Sequence, residues 1–208
     1  MHNIADVGSR RLWGGTQEDC DMEQIKYAQR PLTGVIRQLR PSDLPRFAEH
    51  LLRLDAQSRR DRFNGLTDGD FLRSYAERSF REGVTVIGYV EGNKVLAAAE
   101  LHEQAEESAP TAEIAFSVER QLQHRGIGGR LFQRLVAQAR GLGYLRLQVT
   151  THSNNAAMKA LARRFNAKLS FEYGETNGVI DLETDETAEL EWAPAKLAVS
   201  HAARAIAA

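Results

Sequence analysis

The sequence predicts an α/β fold, because segments with two different apolar periods follow one another along the chain. Over 112–118, apolar residues alternate with others, as in a strand that is buried on one face. After a loop at 123–130 with the sequence QHRGIGGR, apolar residues recur at every fourth position, as on one face of a helix: Ile127, Leu131, Leu135 and Ala139. A strand that leads through glycines into a helix can bind phosphate, since the first turn of a helix has free N–H groups.

Length and composition are those of an ordinary globular protein. The chain has 208 residues, of which 42% are hydrophobic and 26% are charged. A net charge of -1 argues against general attraction to nucleic acid. The single cysteine, Cys20, rules out an internal disulfide and favours a reducing compartment. No apolar run approaches the roughly 18 residues of a membrane span, and no signal peptide is visible. We therefore expect a cytoplasmic protein that binds neither nucleic acid nor membrane.

The elements expected before the glycine loop are strands and helices in mixed order. Residues 35–39 are predicted to form the first strand, and two helices follow, which Ser42 and Thr67 are expected to cap. A hairpin comes next, with strands at 84–90 and 95–102. In its second strand, alternation assigns one face to Val95, Ala97, Ala99 and Leu101 and the other to Leu96, Ala98, Glu100 and His102.

After the glycine loop and its helix, the pattern predicts a strand at 144–150 and a second helix that follows Asn155. A last hairpin is expected to turn near Asn177-Gly178, between strands at 169–173 and 179–183. The expected organisation is a poorly ordered leader at 1–32, one domain at 33–184 and an Ala-rich tail at 185–208.

The glycine loop resembles the acetyl-CoA loop of the GNAT acetyltransferase superfamily. Its spacing is Gln123-x-x-Gly126-x-Gly128 after an apolar strand. A P-loop would need Lys-Ser or Lys-Thr after the glycines, and the dinucleotide fingerprint would need a third glycine where Leu131 stands. The order of elements over 35–183 is also that of a GNAT domain. This resemblance implies a mixed, largely antiparallel sheet whose central strands splay apart and whose faces are flanked by helices.

A narrower resemblance points to the domain of bacterial protein lysine acetyltransferases. It rests on the segments LDAQSRRDRFNG at 54–65 and AEIAFSV at 112–118. It implies an N-acetyltransferase that moves the acetyl group of acetyl-CoA to a primary amine of a protein lysine. Two other hypotheses stay open: acetyl transfer to a small amine, and a non-catalytic module that senses acetyl-CoA. Turnover separates the sensor from the enzymes, and competition between acceptors separates the two enzymes.

The resemblance also implies the residues that hold acetyl-CoA, and we expect no metal cofactor. Main-chain groups of Phe116 and Val118 would meet the pantetheine arm and the thioester. The full expected set consists of Phe116, Ser117, Val118, Gln123, His124, Arg125, Gly126, Ile127, Gly128, Gly129, Arg130 and Asn155. Arg125 and Arg130 can instead be surface charges, and Asn155 can instead be a helix cap.

Catalysis needs a base, since a lysine amine has a pKa near 10.4. In the enzymes that this chain resembles, a glutamate in the motif at 112–118 is the base, which here is Glu113. Glu100 and His102 on the preceding strand are alternatives. Many GNAT enzymes have a tyrosine seven residues after the motif Asn as a general acid, but that position is Ala162. We therefore expect no dedicated acid for the leaving thiolate.

Overall fold

The structure is a computed structural model that describes residues 31–182. The tail expected at 185–208, and the leader expected at 1–32 apart from Pro31 and Leu32, lie outside the described residues. None of the helices within the described range is long and apolar enough to span a membrane.

Seven strands form one mixed sheet in the order β1-β2-β3-β4-β5-β7-β6. Their bounds are β1 Val35–Gln38, β2 Val84–Glu91, β3 Lys94–Glu103, β4 Thr111–Val118, β5 Arg146–His152, β6 Lys168–Glu172 and β7 Glu175–Asp181. Neighbours are antiparallel except β4 and β5, which are parallel. The predicted mixed, largely antiparallel sheet is therefore confirmed.

Five helices connect these strands within the described residues. They are α1 Leu44–Arg53, α2 Ala56–Phe63, α3 Gly69–Arg78, α4 Ile127–Gly141 and α5 Ala156–Arg164, and a 3-10 turn at Pro41–Asp43 precedes α1. The helix α4 carries the chain from β4 to β5, as a parallel pair of strands requires.

Two buried clusters cover the two faces of the sheet. On one face, Leu131 and Leu135 of α4 pack with Ala97 and Ile114 of the central strands. On the other face, apolar residues of α1 and α3 pack against β2 and β3: Phe47, Leu51, Leu72, Ala76, Val86 and Ala98. Helices on both faces leave the sheet buried, so a ligand can reach the central strands only where those strands separate.

The predicted face assignment in β3 is wrong at its start, because the strand contains a bulge. Val95 pairs with Val90 and Ala97 with Tyr89, so Leu96 is an extra residue in the ladder. A single inserted residue reverses the alternation of side chains. Val95 consequently packs under α1, while Ala97 faces α4. Beyond the bulge the alternation is as predicted, since Ala97, Ala99 and Leu101 share one face and Ala98 lies on the other.

Three predicted turn and cap residues also differ from the structure. The residue before α1 is Asp43 rather than Ser42, and the cap of α3 is Asp68 rather than Thr67, since the Asp68 carboxylate accepts from the Phe71 N–H at 2.7 Å. The last hairpin turns at Tyr173-Gly174, which both have positive φ, as a type I′ turn demands.

The pair Asn177-Gly178, which was expected to form that turn, lies inside β7. A Cβ on Gly178 would come within 2.8 Å of Val149 Cγ1 on the neighbouring strand. The glycine is therefore explained by close packing between strands and not by a turn.

Candidate active site

The central strands β4 and β5 pair only at their starts and then separate. Their register consists of Thr111 with Arg146, Ala112 with Leu147, and Glu113 with Gln148. Beyond this point β5 continues to His152 with β7 as its partner. The second half of β4 therefore has β3 on one side and an open cleft on the other. This opening confirms the splayed central strands that the resemblance implied.

The free edge of β4 presents alternate main-chain groups to the cleft. The Glu119 N–H donates to the Leu96 carbonyl at 3.1 Å, and the Thr111 carbonyl accepts from the Gln104 N–H at 3.0 Å. Residues with odd numbers in β4 therefore direct their main-chain groups toward β3. Since these directions alternate along a strand, the N–H and C=O groups of Phe116 and Val118 point to the cleft.

The glycine loop turns the chain from β4 into the first turn of α4. His124 has φ of 58° and Gly126 has φ of 78°, and Gly126 is the N-cap of α4. A Cβ on Gly126 would meet nothing within 4 Å, and one on Gly128 would meet only Leu161 Cδ2 at 3.6 Å. The positive φ of Gly126 favours glycine, and the empty space lies at the start of a helix. This arrangement suits a phosphate group, because the first N–H groups of the helix lack intrahelical partners.

The cleft is lined by four parts of the chain: α2, the end of β4, the glycine loop and the start of α5. Its residues are Ser58, Asp61, Arg62, Phe116, Ser117, Val118, Leu122, Gln123, His124, Gly126, Ile127, Gly128, Asn155, Ala157, Met158 and Leu161. The structure thus brings together every residue of the predicted acetyl-CoA set except Arg125, Gly129 and Arg130. Arg130 is exposed, and Arg125 lines a separate depression beside Arg53. Phosphate contacts by these two arginines stay predictions.

Two polar side chains connect the walls of the cleft. Gln123 Nε2 donates to the Val118 carbonyl at 3.0 Å and to Ser58 Oγ at 3.1 Å. Asn155 caps α5, since its Oδ1 accepts from the Met158 N–H at 2.9 Å, and its Nδ2 donates to Thr151 Oγ1 at 2.9 Å. Asn155 is therefore a helix cap in this structure. The contact of Asn155 with acetyl-CoA stays a prediction.

A second compartment opens next to the first, on the far side of Phe116. Its walls come from α2, β4 and β5, and they are Asp61, Arg62, Phe63, Asn64, Glu113, Ile114, Ala115, Phe116, Val149, Thr150, Thr151, Asn155 and Met158. Glu113 is half-buried here, and its Oε2 lies 3.5 Å from Gln104 Nε2. A carboxylate therefore lies in the compartment at the point where the two strands part.

Glu100 has a very different place. Its side chain is fully buried, and it accepts hydrogen bonds from Arg62 at 2.7 Å, Tyr75 at 2.9 Å and Ser79 at 3.1 Å. Burial alone would raise the pKa of the Glu100 carboxyl, but Arg62 and His102 outweigh burial and hold this pKa well below its usual range. Glu100 lines neither compartment, and its role as an alternative base stays a prediction.

His102 lies between the two glutamates. It is the residue of β3 directly opposite Glu113, and its ring is 26% exposed. Its Nε2 lies 3.2 Å from the Tyr75 hydroxyl and 3.4 Å from Glu100 Oε2. His102 therefore belongs to the buried network around Glu100, at the end nearest to Glu113.

Three polar residues of the cleft, Ser58, Asp61 and Arg62, were not predicted from the sequence. All three lie on α2, which begins where the Asp55 carboxylate accepts from the N–H groups of Gln57 and Ser58. The segment 54–65 did carry part of the resemblance, but its run of charges is typical of a solvated helix. Arg62 is instead nearly buried, because its ion-pair partner Glu100 comes from a distant strand. Among the described residues, no group of three or more His, Cys, Asp or Glu side chains can hold a metal ion.

Comparison with known proteins agrees with this geometry. The model of the Acetyltransferase (GNAT) family matches residues 48–167. No curated protein matches the chain. Among solved structures, the GNAT domain of S. lividans PAT has a TM-score of 0.62 and 20% identity, over 71% of this chain and 90% of that one.

Two further solved structures have the same fold. The ribosomal-protein-S18-alanine N-acetyltransferase from Escherichia coli has a TM-score of 0.57 and 17% identity, over 72% of this chain and 94% of that one. A putative acetyltransferase from Salmonella typhimurium, solved with its cofactor acetyl-CoA, has a TM-score of 0.55 and 20% identity, over 72% of this chain and 94% of that one. Because the family model spans more than half of the sequence and the observed fold agrees with it, the chain is an acyltransferase and belongs to the GNAT acetyltransferase family.

Proposed function

We propose that this chain acetylates the side-chain amine of protein lysines, with acetyl-CoA as donor and Glu113 as general base. The observation that carries the proposal is the position of the Glu113 carboxylate, which lines the cleft where β4 and β5 separate. On the same face of the sheet, the buried Glu100 carboxylate accepts hydrogen bonds from Arg62 and Tyr75. Asp61 also lines this compartment, but Glu113 is the carboxylate on the central strand at the point where β4 leaves β5.

Two features of the first compartment support acetyl-CoA as its ligand. The empty space over Gly126 and the first turn of α4 suits the pyrophosphate. The free edge of β4 suits an arm that contains amides, since the main-chain groups of Phe116 and the N–H of Val118 point toward it, while the Val118 carbonyl accepts from Gln123. Acetyl-CoA supplies an activated thioester. A main-chain N–H of β4 aimed at the thioester oxygen would stabilise the negative charge that develops there.

Glu113 would take a proton from the attacking amine, directly or through one water. At neutral pH almost all of a lysine amine is protonated, because its pKa is near 10.4. A neighbouring carboxylate also attracts the cationic form into the compartment. The charges that line the second compartment favour a cation, since Asp61 and Glu113 lie there and Arg62 is neutralised by Glu100.

The departing thiolate would take its proton from water. Ala162 is buried, and the residues that line either compartment within the described range include no tyrosine. A free thiol has a pKa near 8.5, which makes the thiolate a tolerable leaving group without a dedicated acid.

A protein acceptor is supported by the name of one similar structure and by the narrower resemblance of 54–65 and 112–118. That structure is named for acetylation of an alanine on a ribosomal protein. Small amines are the competing class of acceptor. The acceptor site and the cytoplasmic location that we expect are both proposals for this chain.

The test compares wild type with Glu113→Gln on a lysine peptide and on a panel of small amines. Glu113→Gln keeps the shape of the side chain but removes the proton acceptor, so we expect turnover to fall about a hundredfold or more while acetyl-CoA affinity persists. The loss should shrink at high pH, where more of the amine is already neutral. Glu172→Gln, at an exposed position of β6, is the matched control.

Two outcomes would contradict the proposal. Near-normal turnover of Glu113→Gln at neutral pH would reject Glu113 as the base. Acetylation of small amines in preference to every lysine peptide and every protein of a lysate, read by mass spectrometry of acetyl-lysine, would reject the protein acceptor.

A further inference from the structure

Ser117, His50 and Glu119 form a hydrogen-bonded row beneath the cleft. Ser117 Oγ lies 2.9 Å from His50 Nε2, and His50 Nδ1 lies 3.0 Å from Glu119 Oε1. A hydroxyl, an imidazole and a carboxylate in this order are the arrangement that activates a serine nucleophile. The row joins α1 to the end of β4, and it is separate from the network around Glu100.

The protonation states in this row are set by its partners. Burial favours the neutral form of Glu119, but hydrogen bonds from His50 and Arg53 outweigh burial and lower the pKa of this carboxyl. Arg53 Nη2 donates to Glu119 Oε1 at 2.8 Å, and Gln121 donates to Oε2 at 2.8 Å. An ionised carboxylate only accepts hydrogen bonds, so a neutral His50 carries its proton on Nδ1. Its Nε2 then accepts from the Ser117 hydroxyl, which is the state that a general base requires.

Ser117 also lies where an acyl donor would be. It lines the acetyl-CoA compartment, between the two residues whose main-chain groups form the open edge of β4. The N–H of Val118, the next residue, points toward that open edge. A backbone N–H directly after a nucleophilic serine can stabilise the oxyanion that forms when the serine attacks.

We propose that Ser117 is an acyl acceptor, and that this chain hydrolyses acetyl-CoA slowly through an acetyl-Ser117 ester when no amine is present. This inference rests on the proposed function only in that acetyl-CoA occupies the cleft. It adds a second activity of the same site that needs neither an amine nor Glu113.

The reaction has two balanced steps. Ser117 Oγ attacks the thioester carbon while His50 Nε2 takes the hydroxyl proton. A C–O bond forms, the C–S bond breaks, and the sulfur leaves as the thiol of CoA with that proton. Water then attacks the ester carbon, and His50 takes its proton and returns it to Ser117 Oγ as the ester C–O bond breaks. Free Ser117 and acetic acid result, and the acid ionises to acetate by releasing a proton to solvent.

The experiment incubates the full chain with acetyl-CoA and no amine, quenches with acid, and maps peptides by mass spectrometry. We expect one acetyl group on Ser117, which alkaline hydroxylamine removes because it is an oxygen ester, whereas neutral hydroxylamine leaves it in place. Thiol release measured in parallel should fall to the rate of the buffer blank in Ser117→Ala, and about a hundredfold in His50→Gln. Ser170→Ala, at an exposed position of β6, is the matched control and should leave both readouts unchanged.

The wild-type adduct keeps the test decisive even if the variants fold poorly. No adduct on Ser117, or an adduct that resists alkaline hydroxylamine, would overturn the proposal, as would equal thiol release by folded Ser117→Ala. Amine acetylation without the adduct would reject this inference alone. The adduct without amine acetylation would instead reject the proposed function alone, and failure to bind acetyl-CoA would reject both.

Discussion

At the scale of single residues, two glutamates on neighbouring strands show how surroundings decide the role of a carboxylate. Glu113 lines a cleft, whereas Glu100 is buried against Arg62. Removal of one member of a buried ion pair leaves the other charge uncompensated. We therefore expect Glu100→Gln to lower the free energy of unfolding by about 3 kcal/mol or more. Urea unfolding measures this loss, with Glu172→Gln as the control.

The contribution of Glu100 to the free energy of unfolding should decrease as the pH falls. The pKa of Glu100 is lower in the folded than in the unfolded chain, so its stabilisation is present above the ordinary glutamate pKa of about 4.3 and is lost as pH falls below it. The difference in unfolding free energy between wild type and Glu100→Gln should therefore shrink from pH 7 to pH 3. A constant difference over this range would show that the ion pair with Arg62 is not its source.

Two substitutions of Asn155 separate its role as a helix cap from its predicted role in binding acetyl-CoA. Asn155→Ala removes the cap of α5 and should cost about 0.5–2 kcal/mol of unfolding free energy. Asn155→Ser keeps a capping oxygen but removes the amide nitrogen. If the amide binds acetyl-CoA, Asn155→Ser should be nearly as stable as wild type and yet bind acetyl-CoA more weakly in calorimetry. Equal affinity in wild type and Asn155→Ser would leave Asn155 as a cap alone.

At the scale of elements, the glycine loop carries the clearest prediction about the cofactor. Gly126→Glu would place a carboxylate where the pyrophosphate is expected, and we expect it to abolish acetyl-CoA binding. A side chain at this positive φ costs about 1–2 kcal/mol, so the chain should stay folded. Calorimetry on the folded variant checks this result.

Gly143→Glu is a well-matched control for that experiment. Gly143 also has a positive φ, of 83°, and a Cβ there also meets nothing within 4 Å, but it lies just beyond the other end of α4. We expect Gly143→Glu to have a similar backbone strain and to bind acetyl-CoA with the affinity of wild type. Equal affinity of both variants would show that the glycine loop does not hold the cofactor.

The elements that the sequence predicted well are those with strong local patterns. The strand at 112–118 and the helix after the glycine loop were predicted from their apolar periods. The bulge at Leu96 and the turn at Tyr173-Gly174 were missed, since both depend on how strands pair. Asn177-Gly178 is a common turn pair, yet here residue 178 is glycine because Val149 on the neighbouring strand leaves no room for a side chain.

At the scale of the whole molecule, the site combines residues from distant parts of the chain, and this limits what a sequence can reveal. The contiguous motif predicted the residues from Phe116 to Gly128 that line the cleft. The pairing of Arg62 with Glu100 and the row from His50 to Glu119 follow only from the packing of α1 and α2 on the sheet. Without that packing, Glu100 stayed an alternative to Glu113 as the base.

Binding of acetyl-CoA should stabilise the whole fold, because the cleft exists only when β4, α4 and α5 are in place. A ligand that binds only the folded state at a hundred times its Kd raises the free energy of unfolding by about 2.7 kcal/mol. We expect this gain for wild type in chemical unfolding with acetyl-CoA, and none for Gly126→Glu. A gain that persists in Gly126→Glu would place the binding elsewhere.

The open edge of β4 has a consequence for how this chain can diverge. Main-chain groups of Phe116 and Val118 face the cleft in which we propose that the donor binds, whereas the side chains between and beside them point out of the plane of the sheet. Substitution changes side chains but leaves the N–H and C=O groups of a strand in place. New acceptor preferences can therefore arise on α2 and on the odd-numbered residues of β4 while the donor edge stays intact. Related chains can therefore use the same donor and differ in the acceptor that they modify.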